Sequence, residues 1–203
     1  MWPTTSERPR RSDLRWFRSG RLSGGPIWLP MQFLHKNIRL PAVKYRGVHW
    51  YFVTFCCAAR RRVFADSKWA SRIVDELRLE AAAYCFDVYA YCVMPDHVYA
   101  LVKGLDPACD LLAFVKNLKQ KTDREFREKF HRDLWQKKFY DRILRKTDSV
   151  GRVAGYIWMN PVRRGICTDP REYPYSGSFA VDWKKDYAPA KTWVPPWKEK
   201  APA

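Results

Sequence analysis

Two kinds of apolar pattern alternate along this chain. From His49 to Cys57 the run His-Trp-Tyr-Phe-Val-Thr-Phe-Cys-Cys is aromatic and β-branched, the composition of a strand. Residues 67 to 84 then carry Ala70, Ile73, Val74, Leu77, Ala81 and Tyr84 at helical spacing, behind Ser67 as the candidate cap. Phe86 to Val93 and His97 to Lys103 read as two more strands, joined through Met94-Pro95-Asp96, whose proline and aspartate suit a tight connection. From Asp110 to Lys121, Leu111, Leu112, Phe114, Val115 and Leu118 gather on one side of a second helix, and a polar helical stretch with Phe126 and Phe130 follows. Leu134 to Tyr140 is a fourth strand or an extended rim segment. A third helix is predicted from about Asp148 to Asn160, ending before Pro161, which cannot continue the hydrogen-bonded ladder.

Strand-helix-strand-strand-helix-strand is the order of a ferredoxin-like α+β fold: an antiparallel sheet with helices on one face and, here, an additional helix carrying Tyr156. Its 203 residues suffice for one sizeable core. Residues 1–44 hold nine Arg or Lys against two acidic residues and no sustained period, so they read as a basic, flexible arm. The predicted domain covers 45–179, and 180–203 form a Pro- and Trp-rich tail.

Charge narrows the partners. Lys and Arg outnumber Asp and Glu by 38 to 21, a net charge of +17, in a chain with 16% aromatic residues and ten tryptophans. Positive field, guanidinium planes and stacking surfaces together suit nucleic acid. No window reaches the roughly 18 apolar residues of a membrane span, and no signal-peptide pattern opens the chain, so no membrane is expected and the cytoplasm is the expected compartment. The six cysteines include no C-x-x-C pair, which argues against a zinc site or a disulfide framework.

Chemistry concentrates in two places. His97 and Tyr99 lie two apart in an apolar run and share one face of a strand. Tyr156 and Asn160 lie four apart and share one face of a helix. If that helix packs against the strand bearing His97, the side chains of His97, Tyr156 and Asn160 converge on one phosphate. A tyrosine hydroxyl, with an unperturbed pKa of about 10, is a weak nucleophile without nearby positive charge. On spacing alone Tyr156 is therefore read first as a core residue.

Four blocks in order change that reading: Met94 to Val102, Leu134 to Arg142, Tyr156 to Gly165 and Tyr173 to Ser178. They resemble the IS200-like tyrosine transposases, especially the branch associated with repetitive extragenic palindromes. The resemblance implies a histidine, a hydrophobic residue and a second histidine on a central strand that hold Mg²⁺ or Mn²⁺, with a polar ligand from the helix that bears the nucleophile. It makes His97 the first ligand, Asn160 the helix-borne ligand and Tyr156 the nucleophile that takes a 5′ phosphate and releases a 3′ hydroxyl. The implied substrate is single-stranded DNA with hairpin structure, acted on by a monomer or a homodimer.

This chain departs from the pattern at Tyr99, which stands where the second histidine is expected. A neutral phenol is a poor ligand for a hard divalent ion. Three readings follow: a metal-dependent single-strand endonuclease and transposase, a catalytically impaired DNA hairpin binder derived from one, or an RNA-binding protein. The candidate DNA contacts are Lys116, Lys119, Lys121, Trp135, Lys137, Lys138, Arg142, Arg163 and Arg164. Asp96 is expected to serve as a turn residue, because it neighbours His97 and would point the other way in a regular pleat.

Overall fold

A computed structural model describes residues 41–186. The basic arm before residue 41 and the tail after residue 186, including Trp193 and Trp197, lie outside the described residues. Within them the order is β1 (Trp50–Cys56), α1 (Ser67–Ala83), β2 (Phe86–Met94), β3 (His97–Gly104), α2 (Leu111–Phe130), β4 (Tyr140–Ile143), α3 (Val150–Trp158), α4 (Asn160–Arg163), β5 (Ser176–Gly177) and α5 (Trp183–Asp186). The strands form one antiparallel sheet in the order β4-β1-β3-β2-β5. Its first four strands have the ferredoxin-like arrangement expected from the element order, and β5 extends the far edge.

The pleat divides the interior in two. Tyr51, Val53 and Phe55 of β1 join Val98, Ala100 and Val102 of β3 beneath α1 and α2, where Ile73, Leu77, Phe114 and Leu118 complete the larger core. Phe52, Ala90, Cys92, Met94 and Leu101 face the other way and are covered by Val153, Ala154, Tyr156 and Ile157 of α3. Two core helices thus lie on one face and the tyrosine-bearing helix on the other. A register shift between Val88 and Ala90 exchanges the faces of β2, so that Phe86 and Val88 before it and Tyr91 and Val93 after it all join the larger core.

Several boundaries differ from the sequence reading for identifiable reasons. Asp66, not Ser67, caps α1, its carboxylate accepting from the Lys68 amide at 2.9 Å. The two predicted helical stretches after Asp110 are one helix, α2, capped by Asp110 at the Ala113 amide and closed by His131 in a left-handed conformation. The fourth strand begins only at Tyr140; of the preceding segment, Trp135 makes one isolated bridge to Cys57. Pro161 does not end helical structure. α3 stops at Trp158, and Asn160 and Pro161 open the one-turn helix α4, where the missing proline N–H costs nothing.

Residues 170–186 pack back on the domain. Tyr173 donates its hydroxyl to the Val93 carbonyl at 2.7 Å, Trp158 donates its indole N–H to the Gly177 carbonyl at 3.0 Å, and Trp183 stacks on Trp158 at 4.9 Å. These contacts fix the back of α3 and hence the direction of Tyr156.

At Gly104 the backbone comes close to that of Gly47: a Cβ there would stand 2.2 Å from the Gly47 carbonyl oxygen. Gly104→Ala should therefore cost about 1–3 kcal/mol through forced displacement of β3 or the loop before β1. A denaturant midpoint unchanged from the unmodified chain would contradict this.

Candidate functional site

The β2–β3 hairpin turns at Pro95 and Asp96 and delivers His97 as the first residue of β3, opposite Cys56 of β1. His97 is buried at 3% exposure, and its Nδ1 lies 2.6 Å from an Asp96 carboxylate oxygen. Asp96 therefore does more than turn the chain. It sits in the turn rather than in the pleat, so the alternation of strand side chains does not apply and its carboxylate reaches the neighbouring ring. Burial alone would push the Asp96 carboxyl up, but the hydrogen bond and charge of His97 and the Arg60 guanidinium 3.3 Å away hold it below its ordinary value.

Tyr99 follows on the same face. Its ring meets His97 edge-on at 4.7 Å, Tyr156 edge-on at 5.9 Å, and stacks on Phe52 at 5.7 Å. Phe52 also contacts Tyr156 at 6.4 Å, so one buried phenylalanine supports both tyrosines. Burial first, then the charge of Tyr156 and hydrogen bonding with it, push the Tyr99 phenol far above its ordinary value; Arg60 opposes this only in part. Tyr99 is held as a neutral phenol.

Tyr156 is buried at 5% exposure on α3. Asn160 directs its Nδ2 back to the Tyr156 and Ile157 carbonyls at 2.9 and 3.2 Å, which fixes the amide and leaves its carbonyl oxygen as the atom suited to a cation. Arg163 donates to the Tyr156 carbonyl at 2.5 Å, and its guanidinium carbon lies 4.1 Å from the centre of the Tyr156 ring. That stacking puts a permanent positive charge against the ring and beside any phosphate brought to it.

The donors present do not fit the two-imidazole cation site that the resemblance implies. One imidazole, with Nδ1 already on Asp96, is joined by one amide and a neutral phenol. Among the described residues no group of three or more His, Cys, Asp or Glu side chains converges. Divalent ions of the magnesium class need several well-placed oxygen donors, and transition ions want the second imidazole.

The other candidate contacts fall into separate groups. Lys116, Lys119 and Lys137 line a groove of ≈ 450 Å³ between α2 and the segment before β4, and Lys119 Nζ donates to the Gln136 and Lys137 carbonyls at 2.7 and 3.2 Å. Lys138 is exposed on the same segment. Trp135 is buried, with its indole N–H on Thr122 at 2.9 Å and its ring against Phe64, so it builds the groove floor from within the core. Lys121 pairs with the buried Glu76 and Glu80 of α1 and joins the two core helices. Arg142 pairs through one nitrogen with both oxygens of Asp148 at 3.1 Å. Arg164 is exposed just past α4, near Arg60 and Arg62.

Sequence reasoning missed Phe52, Cys56, Arg60 and Arg62. The first two share the site's face only through the β1–β3 register, which no local pattern encodes. Arg60 is aimed by the backbone: Ala59 and Arg60 both adopt left-handed φ, 53° and 55°, and neither is glycine. Each such residue costs on the order of 1 kcal/mol, so the surrounding contacts must enforce the conformation.

Comparison with known proteins agrees with this frame. The family model described as transposase IS200-like matches residues 46–159, from the loop before β1 to the end of α3, and the chain belongs to that family. A Haemophilus influenzae protein described as a putative REP-associated tyrosine transposase is 26% identical over 117 residues, 52% of this chain and 66% of its own length. An Escherichia coli K12 REP-associated tyrosine transposase is 23% identical over 109 residues, 50% of this chain and 64% of its own. The chain thus spans just under two thirds of these relatives. A solved REP-associated tyrosine transposase bound to a REP hairpin shares the fold at 18% identity and a TM-score of 0.57, over 70% of this chain and 82% of that one.

Because Asp96 is held below its ordinary value, its pairing with His97 and Arg60 contributes stability that is present above about pH 3.9 and lost as pH falls through the lower folded value. Melting temperatures of Asp96→Asn and the unmodified chain should differ at neutral pH and converge under acid. A gap that stays constant into acid would show that the carboxylate contributes no such linkage.

Proposed function

We propose that this chain binds structured single-stranded DNA and that strand cleavage through Tyr156 is suppressed in it by Tyr99. One observation carries the reading: the Tyr99 ring packs against both His97 and Tyr156, 4.7 Å from one and 5.9 Å from the other, as a neutral phenol where the resemblance expects an imidazole. DNA as the partner is supported by family membership, by the net charge of +17, by the lysine-lined groove, and by the hairpin bound to a structural relative.

The remaining parts of a tyrosine nuclease still stand together. Tyr156 is the nucleophile in this reading: its oxygen would bond to a backbone phosphorus, the bond to the 3′ oxygen would break, and a 5′-phosphotyrosine and a 3′ hydroxyl would result. Arg163 supplies one positive charge to that phosphate. His97 and Asn160 are the residues that Mg²⁺ or Mn²⁺ would use, but Tyr99 adds no anionic or imidazole donor to them. Binding without cleavage is the result.

The test is a panel of 5′-extended DNA hairpins incubated with Mg²⁺ or Mn²⁺ and resolved on denaturing gels. The unmodified chain should bind without forming an adduct, and Tyr99→His should form one that disappears in Tyr99→His/Tyr156→Phe. Even outer-shell partners of metal-bound histidines are worth about 10–100-fold, so the gain in adduct should be at least roughly tenfold. An adduct of comparable yield from the unmodified chain, lost on Tyr156→Phe, would instead establish a working transposase-type nuclease despite Tyr99.

A further inference from the structure

Sulfur collects around His97. The β1–β3 register sets His97 opposite Cys56, and the β2–β3 register sets it opposite Met94, the last pair before the Pro95-Asp96 turn. Directly paired residues project from the same face of the sheet, with Cβ atoms about 4.5–5.5 Å apart. That face is the one α3 covers, where Met94 and, along β1, Phe52 are packed. A thiol, an imidazole and a thioether therefore stand in one row across three neighbouring strands, with the imidazole in the middle.

The row is held in place from outside. The Cys57 amide donates to the Asp96 carbonyl at 2.9 Å, which ties the end of β1 to the hairpin tip and keeps Cys56 beside His97. The Asp96 carboxylate, 2.6 Å from Nδ1, leaves Nε2 as the ring atom open to a ligand. A carboxylate behind a histidine in this way is the arrangement that orients metal-bound imidazoles and raises their basicity. Both ends of the row can be reached. Cys56 is a free, half-buried thiol, and a cleft of ≈ 370 Å³ lined by Met94, Pro95 and Asp96 opens at the thioether end.

Donor type and charge select the ion. The row offers no second imidazole and no set of oxygens, so it does not suit magnesium-class ions; thiolate and thioether donors select soft ions such as Cu(I). Such monovalent ions are satisfied by two or three donors, which is the number the row supplies. Burial pushes the Cys56 thiol up, so the free site holds its proton. On binding, the S–H bond gives way to a sulfur–metal bond, the proton leaves to solvent, and no atom changes oxidation state. Thiolate and monovalent ion then cancel. A divalent ion would leave one positive charge uncompensated, with Asp96 already shared by Arg60 and with Arg163 nearby on Tyr156.

We propose that Cys56, His97 and Met94 form a binding site for a monovalent soft metal ion of the Cu(I) class, held by Sγ, Nε2 and Sδ, with Asp96 as the positioning residue behind the imidazole. The site uses neither Tyr99 nor the lysine groove, so it stands or falls apart from the DNA-binding reading.

The test is an anaerobic titration of the full chain with Cu(I), using bicinchoninate as the coloured competitor, followed by X-ray absorption at the copper edge. The unmodified chain should withdraw one equivalent from the competitor and show a first shell of mixed sulfur and nitrogen. Cys56→Ser should lose at least roughly a hundredfold in affinity, and Asp96→Asn, which touches no ion, about 10–100-fold. Met94→Leu keeps the packing volume and should lose about tenfold while remaining folded by circular dichroism. Tyr99→His and Cys85→Ser, the latter at an exposed thiol, should bind as the unmodified chain does. No uptake by the unmodified chain would overturn the proposal. So would uptake that survives Cys56→Ser or is lost in Cys85→Ser, or a first shell of sulfur alone, since the ion would then sit on other thiols.

Discussion

The pleat of β3 sets everything at the site. Alternation along eight residues sends Val98, Ala100 and Val102 into the core beneath α1 and α2, and sends His97, Tyr99 and Leu101 to the face covered by α3. A slip of one residue would exchange the two sets and put a histidine and a tyrosine into the larger core. The burial of both faces makes that slip costly, so the position of His97 and Tyr99 beneath Tyr156 follows from packing and needs no dedicated contact. Phe52, one strand over, then fills the space under both phenols.

On that frame the decisive chemical fact is a side chain that remains neutral. An imidazole at position 99 would lend a lone pair to a cation; a half-buried phenol beside a second phenol keeps its proton and packs. His97 retains its orientation through Asp96, Asn160 through two backbone carbonyls, and Arg163 its place on Tyr156. Under the reading proposed above, these contacts keep the scaffold of a tyrosine nuclease around an altered centre. In that reading, binding draws on the charge and the groove, whereas cleavage would need the complete donor set.

Much of this was legible in the chain. The first three strands and the two core helices followed from apolar patterning, and the shared faces of His97 with Tyr99 and of Tyr156 with Asn160 from the two periodicities, whereas β4 begins only at Tyr140 and β5 carries no local strand signal. What the pattern could not give were features set by register or by backbone conformation. Cys56 meets His97 only because β1 pairs with β3 in one register, and Arg60 reaches Asp96 only through two left-handed residues that carry no glycine to announce them. Charge was legible as a total but not as an allocation. Lys121 neutralises buried glutamates and Arg142 pairs with Asp148, while Lys116 and Lys137 line the groove. Trp135 was a candidate DNA contact, yet its indole lies inside the core.

The most direct measurement of the central claim is a Mn²⁺ titration of the DNA-free protein followed by electron paramagnetic resonance, comparing the unmodified chain with Tyr99→His under identical conditions. If Tyr99 keeps a cation from this site, Tyr99→His removes free Mn²⁺ signal in proportion to protein added, while the unmodified chain leaves that signal almost untouched. Equal, stoichiometric uptake by the two proteins would contradict it, because Tyr99 would then not be what keeps a cation from this site.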